Sequence, residues 1–336
     1  MKVLRLHGIQ DLRIHDEPVP QVSLGETLLR VTAVGVCGSD LHWFSEEGIG
    51  DARLVKPLVL GHEFAGVVAE GELKGMRVAV DPAIPCGACE FCSQGNPNLC
   101  LGVKFAGHGS QDGALREYMS WHSGCLYPIP ESISDEDGAM LEPLGVAIHT
   151  IDLGHLRTGM TVGIFGCGPI GLLAIQLARI SGAAQIIATD KMAHRLEMAQ
   201  KFGANQVYQA QEGSKETTEI LKATGGRGVD VAFEIAGENE AVETAIATAI
   251  PGGTVVLAGI PAEDHTWFTA STARRKGLTI RMVRRMKHTY PRAIRLVEKG
   301  LVDVRSIVTH CFPLEQSTTA FRLANERQGI KIVIKP

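Results

Sequence analysis

The clearest chemical signal in this sequence is a run of four cysteines in the segment PCGACEFCSQGNPNLC. The cysteines are Cys86, Cys89, Cys92 and Cys100. Four thiolates at this spacing can hold one tetrahedral zinc ion, and a closed set of four leaves no coordination position for a substrate. The spacing therefore predicts a structural zinc site. Free or redox-active thiols, or a zinc ribbon that binds nucleic acid, are the alternatives.

Two short motifs earlier in the chain supply a second set of possible metal ligands. Cys37 lies in GVCGSDLH, and His62 and Glu63 lie in LGHEFAG. A thiolate, an imidazole and a carboxylate suit catalytic zinc, where three protein ligands leave one position open for water or substrate. From these residues alone, an ordinary structural cysteine and histidine stay equally possible.

A glycine-rich segment predicts a dinucleotide site. The glycines of its G-x-G-x-x-G motif are Gly166, Gly168 and Gly171. They lie between a β-prone run at 161–165 and a helical run at 169–180, and Asp190 ends the next β-prone run. The glycines allow a tight turn, close approach of a pyrophosphate, and packing of helix on strand. The helix N-terminus attracts phosphate, and Asp190 favours NAD because it repels a 2′-phosphate. The alternative is a glycine-rich turn in an ordinary α/β domain.

Length and charge narrow the possible classes. The chain has 336 residues, enough for two domains with separate cores. The net charge of −4 and the absence of a basic stripe argue against a nucleic-acid partner. The apolar run around the glycine motif is interrupted, so no membrane span is expected. The first residues carry charges throughout and lack the apolar core of a signal peptide, so we expect a cytoplasmic protein.

The chemistry-bearing motifs require two kinds of domain to position them. Up to about residue 143 the chain is rich in β-type runs, glycine and proline, which predicts an irregular, mainly antiparallel β domain with few helices. From about residue 146, strands alternate with helices, as in a doubly wound parallel sheet. Beyond this sheet, a helix is expected at 291–298. Strands are expected at 304–308 and 331–335, returning to the first domain.

The order of these motifs resembles the zinc-dependent medium-chain dehydrogenase/reductase family over essentially the whole chain. Glu63 after His62, the stretch MLEPLGVAIH at 140–149 and Arg285 before a TYP sequence resemble its sorbitol (polyol) dehydrogenase branch. The resemblance implies an α/β protein in two domains. A mainly β, GroES-like catalytic domain would comprise 1–145 and 287–336, and a Rossmann doubly wound parallel-sheet NAD-binding domain would comprise 146–286.

The resemblance also implies roles for individual residues. Cys37, His62 and Glu63 fall on catalytic zinc ligands, and Glu142 falls on a carboxylate that binds zinc directly or through water. With the four-cysteine site, the chain would hold two zinc ions per subunit. The resemblance further implies that Ser39 takes the substrate proton, that His42 passes it outward, and that Asp40 orients His62.

Cofactor and substrate contacts are implied in the same way. The residues expected around NAD are Gly166, Gly168, Pro169, Ile170, Gly171, Asp190, Arg195, Ala258 and Ile260. The residues expected around the substrate are Trp43, Phe105, His108, Arg285 and Met286. The branch often has tyrosine at the positions of Trp43 and Met286 and a smaller residue at that of His108, so the resemblance leaves the particular substrate open.

The implied reaction is reversible, NAD-dependent oxidation of a secondary alcohol of a polyol to a ketone. Threonine, 2,3-butanediol or a sugar are alternative substrates on the same scaffold, and a non-catalytic nucleotide-binding protein is the alternative from another class. The expected partners are a small-molecule alcohol and further copies of the chain, as a homotetramer or homodimer.

Overall fold

A computed structural model describes residues 1–46, 48–213 and 215–336 of the chain. The strands, in chain order, are β1 Lys2–Gly8, β2 Asp11–Asp16, β3 Glu26–Gly35, β4 Gly48–Ile49, β5 Ala52–Arg53, β6 Glu63–Val68, β7 Arg77–Val80, β8 Ala83–Ile84, β9 Lys104–Phe105, β10 Tyr118–His122, β11 Leu126–Pro128, β12 Thr161–Phe165, β13 Gln185–Asp190, β14 Gln206–Gln209, β15 Val229–Glu234, β16 Ala249–Leu257, β17 Thr279–Met282, β18 Val308–Pro313 and β19 Lys331–Lys335. The helices are α1 Gly38–Glu46, α2 Glu90–Ser93, α3 Asp135–Ala139, α4 Leu141–Gly154, α5 Pro169–Ile180, α6 Ala193–Lys201, α7 Glu216–Ala223, α8 Asn239–Thr248, α9 Ala270–Lys276, α10 Tyr290–Glu298 and α11 Ser317–Asn325. Among the described residues, no helix is both long and apolar enough to cross a membrane.

The contacts between residues divide the chain into two compact units. Unit 1 comprises Met1–Gly145 and Lys287–Pro336, and unit 2 comprises Val146–Met286. Unit 1 is therefore built from two stretches of sequence, one before and one after unit 2.

Unit 1 is organised around a mixed, mainly antiparallel sheet. Its strand order is β11, β7, β6, β3, β19 and β18, and β10 also pairs with β3. Alternate residues of β3, including Leu29, Val31 and Ala33, are buried, as expected for a strand with one face on the core. Each large apolar side chain buried in this way contributes about 1.5–3 kcal/mol to stability. The expected β-rich first domain is confirmed, with β19 inserted beside β3.

One segment of unit 1 received no assignment from the sequence, and another differs from its prediction. The segment GSDLHWFSE forms helix α1, in which the Asp40 carboxylate accepts the backbone N–H of Cys37 at 2.9 Å and stabilises the first turn. The strand expected at 304–308 is wrong: Arg305–Ile307 is a short 3₁₀ helix and β18 begins at Val308. Asp303 accepts the backbone N–H of Ser306 at 2.9 Å, which favours the turn over an extended chain.

Unit 2 contains the expected parallel sheet. Its strand order is β14, β13, β12, β15, β16 and β17, and the neighbouring strands all run parallel. The strand order reverses between β12 and β15, and ligands of doubly wound sheets bind at the carboxyl ends of the strands at such a point. The residues of β12 and β13 are almost all buried, which explains their continuous apolar sequence.

Candidate functional site

The candidate metal centre in unit 1 forms where β3 leads into α1 and β6 begins. Cys37 follows the end of β3, and the antiparallel register sets Gly35 opposite Glu63 at the start of β6. Ligand atoms of Cys37, His62 and Glu63 all lie within 4.8 Å of one another. A thiolate, an imidazole and a carboxylate at this separation fit a zinc ion with an open coordination position.

Asp40 holds the His62 imidazole in place. Its Oδ1 lies 3.4 Å from His62 Nδ1, and its carboxylate also accepts the backbone N–H groups of Cys37 and Gly61 at 2.9 and 3.2 Å. Burial alone would raise the pKa of Asp40, but His62 and these N–H donors hold that pKa below its ordinary value. Hydrogen bonding at Nδ1 leaves Nε2 for a metal, as is usual for histidine ligands. The contact matches the orienting role that the resemblance implies for Asp40.

A buried ion pair, which sequence reasoning missed, lies beside this centre. Lys331, the first residue of β19, pairs with Glu63, and each side chain is only 2% exposed. Strand β3 lies between β6 and β19, and a Cβ on Gly35 would overlap Glu63 Oε2 and approach Lys331 Cε at 3.1 Å. The missing side chain at Gly35 thus makes room for the two charged groups to meet across the central strand. A lysine at a strand terminus ordinarily indicates exposure, so the sequence carried no direct signal for this pair.

Glu142 is buried near the start of α4 but does not belong to the group of three close ligand atoms. Burial raises the pKa of Glu142 to about 8, with His62 opposing the shift and Glu63 adding to it. Glu142 therefore interacts electrostatically with the centre, and its direct or water-mediated binding to a metal stays a prediction.

The residues expected to handle the substrate proton lie on α1. Ser39 Oγ is 3.4 Å from His62 Nε2, and His42 Nδ1 is 3.1 Å from Glu46 Oε2. The pair with Glu46 was not foreseen, although an acid four residues after a histidine on a helix is a visible signal. With Nδ1 bound to Glu46, Nε2 of His42 is left as the nitrogen that can accept a proton.

Three of the expected substrate residues form an aromatic wall next to His62. The ring of Phe105 lies 5.3 Å from that of His62, and the ring of His108 lies 5.5 Å from Trp43 and 6.4 Å from Phe105. Arg285 belongs to unit 2, where its backbone has the left-handed φ of 56°, an uncommon conformation for a residue other than glycine.

The four-cysteine segment closes into a second metal-binding group. The Sγ atoms of Cys86, Cys89, Cys92 and Cys100 lie within 4.8 Å of one another. The backbone N–H of Cys89 donates to Cys86 Sγ at 3.3 Å, and that of Cys86 donates to Cys100 Sγ at 3.3 Å. Donation from the N–H groups of Ala88 and Cys89 lowers the pKa of Cys86 to about 6. These bonds favour the thiolate of Cys86, the form that binds zinc, whereas burial and the contact with Cys89 raise the pKa of Cys92 to about 12.

The predicted dinucleotide loop lies at the carboxyl end of β12 in unit 2. Gly166 has a φ of 108°, and a Cβ on Gly171 would overlap the carbonyl of Gly166, so α5 packs directly on the turn. Helix α5 begins at Pro169 without a side-chain cap on Gly168, which leaves its first N–H groups for an anion. The loop therefore fits a pyrophosphate.

Asp190 ends β13 beside this loop. Its carboxylate accepts the N–H groups of Cys167 and Met192, both at 2.8 Å, and its Oδ2 lies 3.9 Å from Arg195 Nη1. The structure thus brings together Asp190 and Arg195, both expected near the adenosine ribose. Ala258 and Ile260 follow β16 at the same edge of the sheet.

Comparisons with known proteins cover the whole chain. A family model described as zinc-binding dehydrogenase matches residues 169–299, and one described as alcohol dehydrogenase GroES-like domain matches residues 23–131. The sorbitol dehydrogenase of Bacillus subtilis is 36% identical, covering 100% of this chain and 97% of the relative. A probable D-xylulose reductase A of Emericella nidulans is 36% identical, covering 98% and 94%.

A comparison with solved structures also finds a dehydrogenase similar to this chain. The crystal structure of L-idonate 5-dehydrogenase from Escherichia coli superposes with a TM-score of 0.91 at 26% identity, covering 100% of this chain and 98% of that one. Together with the GroES-like match, this similarity confirms the expected fold class. The roles of the individual site residues stay predictions.

Proposed function

This chain belongs to the zinc-dependent medium-chain alcohol dehydrogenase/reductase family, in its polyol dehydrogenase branch, and on that premise we propose that it reversibly oxidises a secondary alcohol of a polyol to a ketone with NAD. It is an oxidoreductase, and the names of its relatives support the polyol class. The observation that carries the proposal is the close grouping of Cys37, His62 and Glu63 in a chain that also has a dinucleotide loop.

We assign a separate role in the reaction to each of the site residues. Zinc held by Cys37, His62 and Glu63 would supply a Lewis acid for the alcohol oxygen, and NAD would supply the hydride acceptor. Asp40 keeps the imidazole of His62 oriented. We assign to Ser39 the acceptance of the alcohol proton and to Nε2 of His42 its passage to solvent.

We propose a polar, polyhydroxylated substrate rather than a plain alcohol. His108 adds a hydrogen-bonding imidazole to the wall formed by Trp43 and Phe105 in unit 1. For Arg285 we propose, from the family resemblance, that its guanidinium binds substrate hydroxyl groups. Threonine, 2,3-butanediol and sugars remain the competing substrates. We further propose that the four-cysteine group holds a structural zinc and that the chain forms a homotetramer or homodimer.

The experiment that tests this function combines zinc content per subunit with NAD reduction on polyols, threonine, sugars and 2,3-butanediol. Two zinc ions with turnover of a polyol would support both the reaction and the substrate class. Turnover restricted to threonine, a sugar or a diol would keep the mechanism and change the substrate. One zinc ion without any turnover would contradict the proposed enzyme.

Replacing Asp190 with serine is expected to raise the ratio of kcat/KM for NADP to that for NAD at least about tenfold, because like-charge repulsion of a 2′-phosphate is lost. Arg195, 3.9 Å from Asp190, can then pair with the phosphate. Steady-state kinetics with both cofactors measure the ratio. As a control, Glu197→Ser on the exposed face of α6 should leave it unchanged, and an unchanged ratio for Asp190→Ser would contradict the assignment.

A further inference from the structure

A buried carboxylate at the end of β15 has no part in the chemistry described so far. Glu234 is 1% exposed, and its Oε1 accepts the backbone N–H of Gly237 at 2.7 Å. Its Oε2 lies against a second stretch of backbone, since a Cβ on Gly259 would be 2.8 Å from it. The carboxylate thus lies between two loops, one after β15 at 235–238 and one after β16 at 258–260.

The main chain of Glu234, which leads into the first loop, also bonds to the second. Its carbonyl oxygen accepts the N–H groups of Ala258 at 2.8 Å and Gly259 at 3.2 Å. The loops also touch backbone to backbone, since a Cβ on Gly259 would lie 2.5 Å from the Cα of Gly237 and 2.8 Å from Glu234 Oε2. The side chain and the main chain of Glu234 therefore both contact the point where the two loops meet.

These loops lie at the edge of the sheet where a dinucleotide is expected. Strands β15 and β16 are neighbours, and β15 pairs with β12, which leads into the glycine loop. A Cβ on Gly166 would lie 2.6 Å from the backbone N of Ala236, so the 235–238 loop packs directly on the glycine turn. Asp190 and Arg195, by contrast, lie beyond β12 at the end of β13 and the start of α6.

Burying this carboxylate is costly. Burial raises the pKa of Glu234 to about 7, although nearby backbone N–H groups, that of Gly237 foremost, favour the ionised form. An apolar residue could fill the end of a buried strand without this cost. What a carboxylate adds is a charge-assisted hydrogen bond to Gly237 in the first loop and an oxygen that packs against Gly259 in the second.

We propose that Glu234 is a positioning residue for the nicotinamide half of NAD, because it holds the backbone groups of the 235–238 and 258–260 loops in the arrangement that receives that half. The inference rests on the proposed function, since it requires the chain to bind NAD. The inference assigns different residues to the two halves of NAD. Asp190 and Arg195 contact the adenosine half, and Glu234 affects only the nicotinamide half.

The test compares calorimetric binding of NAD and of ADP-ribose, which lacks the nicotinamide ring, to the zinc-loaded protein. In Glu234→Gln, one acceptor oxygen becomes an NH₂ group that faces N–H donors. We expect NAD affinity to fall about tenfold, as for lost hydrogen bonds to a charged acceptor. ADP-ribose affinity should stay within about twofold of the wild type. Glu234→Asp, which keeps the charge but is one methylene shorter, should show the same selective loss to a smaller extent.

A matched control lies at the other end of the same strand. Asp230 also accepts a backbone N–H, that of Thr161 at 2.8 Å, so Asp230→Asn makes the same chemical change away from the loops. Both affinities should stay within about twofold in this variant. Equal weakening of NAD and ADP-ribose in both Glu234 variants, or no weakening of either ligand, would overturn the inference alone. Failure of the wild-type protein to bind NAD would overturn the proposed function and the inference with it.

Discussion

Replacing Cys37 with serine is expected to lower kcat by at least about a thousandfold while leaving NAD binding intact. A Lewis-acidic metal stabilises the transition state by several kcal/mol, and each 1.36 kcal/mol corresponds to a factor of ten. Serine is a poor zinc ligand, and Cys37 provides the only thiolate of the group with His62 and Glu63. Zinc content should fall from two ions per subunit to one, and NAD binding should persist because the glycine loop belongs to unit 2.

Cys311→Ser provides the matched control. Cys311 is an exposed cysteine of unit 1 and lies outside both candidate metal groups of the described chain. Zinc content and kcat should therefore match the wild type. Near-full activity in Cys37→Ser would show that the reaction does not depend on this metal centre, and loss of both zinc ions would show that the two centres are not independent.

Replacing Lys331 with methionine is expected to lower the free energy of unfolding by about 3–5 kcal/mol. The substitution leaves Glu63 charged and buried without its partner, while methionine keeps the length of the side chain. The effect should increase after chelation, because a bound metal would otherwise share the charge of Glu63. Urea unfolding followed by tryptophan fluorescence measures it. A Trp267→Phe background leaves only Trp43 and Trp121, both in unit 1, as reporters.

Lys335→Met is the control for Lys331→Met. It shows whether the loss of unfolding free energy comes from breaking the Lys331–Glu63 pair or from removing any lysine of β19. Lys335 lies on the same strand and pairs with Glu136, but its side chain is 49% exposed. Exposed pairs contribute about 0–1 kcal/mol, so this variant should stay close to the wild type. Adding Glu63→Gln to Lys331→Met should restore part of the lost stability. Equal effects of the two lysine variants would contradict a special role for the Lys331–Glu63 pair.

Local patterns in the sequence were sufficient to predict much of the fold and of the candidate site. The spacing of the four cysteines and the glycine motif between a strand and a helix each depend on residues close together in sequence, and the structure brings each set together. Helix α1 received no assignment, because glycine, serine and aspartate at its start are also common in turns. Only the tertiary contact of Asp40 with Gly61 and His62 shows why this segment is fixed.

The buried charges were missed for a different reason. Lys331 and Glu63 become neighbours only through the register of three strands, and one of those strands comes from the second stretch of unit 1. Glu234 ends an apolar strand, where an acid is easily interpreted as the exposed terminus. It bonds to the backbone N–H of Gly237 and packs against Gly259, and contacts with the backbone leave no pattern of side chains in the sequence.

The position of β19 between β3 and β18 also has a consequence for synthesis on the ribosome. Glu63 emerges early, but Lys331 is made only after the whole of unit 2, tens of seconds later at about 5–20 residues per second. Until then the central sheet of unit 1 lacks an inner strand, and Glu63 lacks the cation that allows its burial. Unit 2 is a continuous segment and can fold during this interval. Unit 2 can therefore be complete before unit 1, although unit 1 begins first in the sequence.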